Sequence, residues 1–299
     1  MSGNVLFEHV DIFDGESAQL LRDHHVLVRG ARIEQIAAQP IEAAQARRID
    51  GRGQTLMPGL IDNHVHVYVH SHQMLPPQPP LHYKAHYAAQ YLRHSLDCGF
   101  TSVRDVAGGD HALARALNDG LLHGPRLFYG GLALSPTGGH GDYRNLDDEP
   151  DWGCCIGPHN HVAIMVDGVD ACLRATREEL RKGAHHIKIV VSGGVASPSD
   201  PLDSLQYSEA EIRAIVEECE RQGKYVAAHA HPAHAIRRAV DLGVRTIEHG
   251  TMIDDPVAAH VAAQGAFVVP TLSTMQAMMQ DGPQPVSYTH LTLPTKRIV

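Results

Sequence analysis

The sequence predicts an α/β chain: a (β/α)8 TIM-like barrel that lacks its eighth strand, preceded by a small β-sandwich domain formed by the N-terminal strands. Three observations carry this reading. The first 57 residues contain short apolar segments punctuated by glycine. From Pro58 onward, short apolar runs alternate with stretches rich in Ala, Leu, Arg and Glu. Several of the 23 histidines fall where those apolar runs end.

The chain has 299 residues, enough to bury a large core as a barrel with a small companion domain. Its hydrophobic content of 43% and charged content of 20% are those of a globular protein. The formal net charge of -9 gives no support to nucleic-acid binding, which leaves a basic patch. The N-terminus, MSGNVLFEHVDIFDGES, lacks a basic segment followed by an apolar run, and no apolar stretch approaches a membrane span. A cytoplasmic chain without a membrane partner is therefore expected. Cys98, Cys154, Cys155, Cys172 and Cys219 form no C-x-x-C pair, which argues against a disulfide framework or a thiolate zinc site.

Residues 1–57 read as part of the small sheet domain. Segments 4–12, 24–29, 33–36, 47–50 and 54–57 are strand candidates separated by Asp14-Gly15, Gly30, Gly51 and Gly53. Residues 58–285 read as the barrel. Strands are expected near 60–65, 100–104, 126–131, 186–191, 225–229, 244–248 and 266–270. Helices are expected near 82–97, 110–122, 168–182, 208–222, 232–242 and 254–264. Ser208 followed by Glu209 and Glu211 reads as a helix N-cap with an acidic first turn. Repeated β–α alternation means a parallel sheet with helices outside it. Seven such strands are one short of a closed barrel. Residues 286–299, VSYTHLTLPTKRIV, shift abruptly in composition and are read as a non-native tail.

The sharpest chemical signal is Pro58-Gly59-Leu60-Ile61-Asp62-Asn63-His64-Val65-His66. Period-2 geometry turns both imidazoles to one side of the strand, where they can share a metal ion. Lys188 lies inside the apolar run His186-Ile187-Lys188-Ile189-Val190-Val191, where an unpaired ammonium is costly. Facing inward, it is a candidate for carboxylation; the bland alternative is a lysine that reaches solvent. His229 ends the run from Tyr225, and His249 ends the run from Val244. Either could be a core histidine, but ligand-type residues at successive strand ends match the face where such barrels gather their chemistry.

These motifs resemble those of the amidohydrolase superfamily, within it the imidazolonepropionase-like and Xaa-Pro or Xaa-Arg dipeptidase-like branch. The resemblance runs through P-G-L-I-D-x-H-V-H, T-S-V-R-D-V-A-G-G at 101–109, T-G-G-H-G at 137–141, H-I-K-I-V-V-S-G-G at 186–194, A-A-H-A-H at 227–231 and I-E-H-G at 247–250. It implies that His64 and His66 bind the more buried of two divalent metal ions. It implies that Lys188, as a carbamate, bridges both ions, and that His229 and His249 bind the second. The ions implied are Zn2+, with Mn2+ or another divalent metal as alternatives. His140, His231, Arg104 and Tyr68 would contact substrate, with His140 and His231 also counted in the catalytic set. His231 shares parity with His229, so it either faces the site or sits in the following turn.

The implied activity is hydrolysis of an amide or peptide C–N bond by a metal-bridging hydroxide. The implied substrate is a small dipeptide or N-acyl amino acid. Members of such families often assemble as dimers or larger rings, so a homo-oligomer is an expectation. The resemblance also calls for an eighth-strand Asp, and Asp281 follows the seventh strand too closely to supply it. The chain is therefore expected to be truncated at its C-terminus. A mononuclear deaminase or cyclic amidase on the same fold, and an inactive fragment, stand as alternatives. Lys188 argues against the deaminase.

Overall fold

The computed structural model describes residues 3–69, 79–144, 162–195 and 200–281. The expected tail at 286–299, Trp152, Gly153, Cys154 and Cys155 lie outside the described residues. The chain forms two compact units, Met1–Leu60 and Ile61–Val299.

The first unit is a five-stranded mixed sheet. It comprises β1 (Val5–Ile12), β2 (Leu21–Arg29), β3 (Arg32–Ala37), β4 (Arg47–Asp50) and β5 (Thr55–Leu56). The order is β3-β2-β1-β4, with β5 also pairing with β1. β1 is antiparallel to β2 and parallel to β4 and β5. Leu6, Leu27, Ile41 and Ala43 fill one core cluster, and Val10, Ile12 and Val26 fill another.

The second unit begins with β6 (Leu60–Val65), α1 (Leu81–Asp97), β7 (Phe100–Asp105), α2 (His111–Asn118) and β8 (Arg126–Tyr129). Two short strands follow, β9 (Ala133–Ser135) and β10 (Ala163–Met165), then α3 (Val169–Arg181) and β11 (Ile187–Val190). The remainder is α4 (Glu209–Arg221), β12 (Val226–Pro232), α5 (Ala233–Asp241), β13 (Thr246–Met252), α6 (Asp255–Ala263), β14 (Phe267–Val269) and α7 (Leu272–Asp281).

The strands form a three-stranded sheet, β6-β7-β8, and a six-stranded parallel sheet, β10-β9-β11-β12-β13-β14. The His185 N–H donates to the Tyr129 carbonyl at 2.9 Å, and Leu134 pairs with Ile189. β8 and β9 thus lie along one path beside β11, interrupted at Gly130–Leu132. Gly131 has φ 72°, and the Leu132 N–H turns to the Glu179 carboxylate at 3.3 Å. The architecture is a barrel-like parallel core plus a separate N-terminal mixed sheet.

All seven barrel strands and six helices expected from the sequence are present. β9, β10 and α7 were not expected. The two strands are three residues each, too short to show a period, and α7 follows directly on β14. Among the described residues, no eighth barrel strand follows β14.

Alternation sorts the barrel side chains into two layers. Ile187, Ile189, Val226, Ala228, Ala230 and Ile247 pack with Ile212, Ile215, Ile236 and Val240 of the helices. Val65, Val67 and Val103 pack in the same way with Ala88, Leu92 and Leu113. Burying each large aliphatic side chain contributes about 1.5–3 kcal/mol. The opposite parity, carrying His64, His66, Arg104, Lys188, His229 and Glu248, is thereby left for the interior.

Candidate metal centre and active site

The helix-layer packing of Val65 and Val67 turns His64 and His66 to the other face of β6. Their rings are 5.2 Å apart between centroids. His249, from β13, brings its ring within 4.8 Å of His64 and 4.7 Å of His229. His231 lies 4.6 Å from His229 and 5.2 Å from His249. His140, from the segment after β9, stacks on His229 at 4.1 Å with an interplanar angle of 22°. Side chains from β6, β12, β13 and the post-β9 segment thus form one continuous ring cluster.

Each ring is held through one nitrogen. His66 Nδ1 donates to the Ala107 carbonyl at 2.9 Å, and His64 Nδ1 lies 2.7 Å from Glu248 Oε2. His231 Nδ1 pairs with the Thr251 hydroxyl at 2.7 Å, and His249 Nδ1 with the Thr271 hydroxyl at 2.9 Å. His229 reverses the pattern: Nε2 faces the Gly193 carbonyl at 3.2 Å. A carbonyl accepts only, so the lone pair of His66 is on Nε2 and that of His229 is on Nδ1. Anchoring one nitrogen while leaving the other as a donor is the usual preparation of a metal-ligating histidine.

Burial keeps these rings neutral. It is the largest influence on each, and the Lys188 charge adds to it, while the hydrogen bonds to Glu248 and Ala107 partly oppose it at His64 and His66. His64 is pushed down to about 4, His66 to about 3 and His231 to about 4, while His229 and His249 fall well below the ordinary imidazole range. Neutral imidazole is the form that binds metal.

Lys188 is 4% exposed, and its charge acts on all five of those rings. Burial pushes its amine down to about 8, partly offset by the Glu248 carboxylate. Among the described residues it forms no ion pair of its own. Among the described residues, likewise, no three His, Cys, Asp or Glu side chains are assembled that could hold an ion by themselves. Lys188 stands outside those four residue types.

The remaining expected residues divide. His140 is anchored by its backbone N–H to Gln206 Oε1 at 3.0 Å, and its Nδ1 lies 3.6 Å from Asp200 Oδ2. A Cβ on Gly194 would run into the His140 ring, so glycine is required there for this approach. Arg104 is 7% exposed and directs its guanidinium into the protein. It donates to the Asn63 carbonyl at 2.7 Å, the Thr246 hydroxyl at 3.1 Å and Glu248 Oε1 at 2.7 Å. Tyr68 is not brought to the ring cluster. It packs with Val67, Leu92 and Leu113 in the helix layer, and its hydroxyl faces Asp110 at 3.4 Å.

Glu248 was missed by the sequence reading. It is fully buried, and burial works to raise its carboxyl. The hydrogen bond from His64 and the charges of Lys188 and Arg104 outweigh that effect and hold it well below the usual carboxylate range. The available signal was an acidic residue directly before a strand-end histidine, in Ile247-Glu248-His249-Gly250.

A model of the amidohydrolase family matches residues 55–291. Ochratoxinase of Aspergillus niger is 34% identical over 246 residues, covering 76% of this chain and 50% of that protein. The chain thus spans about half the length of that curated relative. A solved prolidase complexed with N-methylphosphonate-L-proline is 44% identical at a TM-score of 0.88, covering 98% of this chain and 70% of that one. A solved Xaa-Pro dipeptidase with methionine bound in its active site is 30% identical at a TM-score of 0.81, covering 93% and 69%.

Proposed function

We propose that this chain, which belongs to the amidohydrolase family, carries the metal-dependent site of a hydrolase that cleaves the C–N bond of a dipeptide or N-acyl amino acid. The observation that carries the proposal is the cluster of neutral, singly anchored imidazoles around buried Lys188. Such a donor set fits two borderline divalent ions, Zn2+ before Mn2+. When bound, a divalent pair acidifies a shared water and polarises the substrate carbonyl.

The chain's own residues have distinct tasks. His64 and His66 would hold one ion through Nε2. His229, through Nδ1, and His249 would hold the other. Lys188 would bridge the pair after modification. Its depressed pKa enlarges the fraction of neutral amine, the form that adds to carbon dioxide. The new N–C bond yields a carbamate and releases one proton, which replaces a buried cation with an anionic oxygen donor. His140 and His231, whose rings lie against His229, would orient the substrate. The substrate class agrees with the solved relatives, one a prolidase complexed with N-methylphosphonate-L-proline and one a Xaa-Pro dipeptidase.

The test is metal content per chain on protein prepared with bicarbonate, followed by a screen of Xaa-Pro dipeptides and N-acyl amino acids. Two equivalents, falling on Lys188→Ala, with turnover of one substrate class, are expected. One equivalent that is indifferent to Lys188→Ala would overturn the binuclear reading in favour of a mononuclear site.

A further inference from the structure

We propose that Glu248, clamped by Arg104, is a positioning residue that orients His64 and fixes its tautomer, so that His64 presents Nε2 to the metal site.

Glu248 is on β13 and His64 on β6, strands that do not pair, so the contact crosses the barrel interior. Its two carboxylate oxygens are divided between two tasks. Oε2 meets His64 Nδ1 at 2.7 Å. Oε1 accepts from Arg104 Nη2 at 2.7 Å and from the Thr246 hydroxyl at 2.8 Å. An ionised carboxylate has no proton to give, so the hydrogen in the His64 contact resides on Nδ1. The lone pair of a neutral His64 is then on Nε2.

Arg104 makes this arrangement stiff. Its Nε donates to the carbonyl of Asn63, the residue preceding His64. Its Nη1 reaches Thr246 at 3.1 Å and the Tyr225 hydroxyl at 3.4 Å. One guanidinium therefore ties β6 to β13 immediately beside the His64–Glu248 contact. A planar fork with several fixed donors suits this task, and a lysine could not reproduce it. The side chain is turned toward the protein on all three nitrogens, so a positioning role accounts for its placement better than contact with substrate.

Use of His64 Nε2 as a ligand rests on the hydrolase reading; the Glu248–His64 hydrogen bond does not. The experiment therefore has two readouts. Ring 15N NMR of the metal-free protein reports the His64 tautomer, and chelator competition reports Zn2+ affinity. Glu248→Leu alone would strand the Arg104 charge and threatens folding, so the main variant is the double change Glu248→Leu with Arg104→Met, which removes both buried charges together. Thr246→Val is the milder companion, deleting one hydroxyl that donates to Oε1.

In the double variant His64 is expected to gain the Nε2–H tautomer, and Zn2+ affinity to fall about 10–100-fold. Glu248→Gln retains an acceptor oxygen and should restore part of both. Unchanged tautomer and unchanged affinity in the double variant would overturn the proposal, whatever its thermal stability. If the wild type binds no Zn2+ while the tautomer shifts as expected, the hydrolase reading fails and the positioning role stands.

Discussion

Glu248 and His249 are neighbours in the chain, yet both side chains reach the barrel interior. Glu248 meets His64 and Arg104, and His249 meets the rings of His64, His229 and His231. Regular strand alternation forbids this. His249 escapes it by adopting φ 74°, in the left-handed region that a non-glycine residue rarely occupies. Its hydrogen-bond partner Thr271 is left-handed as well, at φ 46°. Strain of this kind costs about 1–3 kcal/mol for each residue and tends to concentrate at functional sites.

Thr271 is where that strain can be separated from function. Thr271→Gly should relieve the backbone and raise the unfolding temperature of the metal-free protein. It also removes the hydroxyl that holds His249 Nδ1, so Zn2+ affinity should fall by about tenfold. Thr271→Ser should retain the affinity. Thermal unfolding and chelator competition on the two variants check the pair of outcomes.

Adjacent glycines after β11 should respond differently. A Cβ on Gly193 meets the backbone carbonyl of Pro201, which cannot move aside cheaply. A Cβ on Gly194 meets the His140 side chain, which can rotate. Gly193→Ala is expected to lower stability by about 1–3 kcal/mol, within the range for overpacking. Gly194→Ala should fold nearly as well but displace His140, raising KM for whichever proposed substrate the protein turns over. Urea unfolding and steady-state kinetics distinguish them.

His186 offers a pH test outside the ligand set. It is fully buried and stacks on Tyr225 at 5.4 Å, and among the described residues neither ring nitrogen has a hydrogen-bond partner. Burial, then the charge of Arg104, pushes it from 6.5 down to about 3. Between those values the unfolded chain binds the proton and the folded chain does not. Protonation of His186 thus favours the unfolded chain, and stability is lost as pH falls through that window. His186→Phe should retain the stacking, gain about 1 kcal/mol near neutrality by removing unpaired polar atoms, and make the acid limb shallower. Denaturant unfolding of the metal-free protein at a series of pH values measures both effects.

A fourth expectation concerns the helix layer alone. Ser208 caps α4 by accepting from the Glu211 N–H, while the Glu211 carboxylate accepts from the Ser208 N–H at 2.7 Å. Ser208→Ala should cost about 1 kcal/mol. Zn2+ affinity and the His64 ring spectrum should not change, which calibrates how far destabilisation by itself disturbs the site.

The sequence alone determined the rhythm of the fold. Apolar runs and glycine turns located the seven barrel strands, and the Ser208 pattern marked a helix start, because these signals lie within a few residues of one another. It also put His64 and His66 on one side of their strand and marked Lys188 and His229 as candidates to face inward, leaving a solvent-reaching lysine and a core histidine as the alternatives. Only the tertiary structure decided what depends on contacts between distant segments. Arg104 and Glu248 are 144 residues apart and become partners only when β7 and β13 enclose a common interior. Tyr68, two residues beyond His66, leaves the ring cluster because apolar neighbours draw it into the helix layer. Period-2 reading could send either Glu248 or His249 inward, but not both. The left-handed turn at His249 resolves that conflict, and its strain is supported by packing that no local stretch of sequence contains.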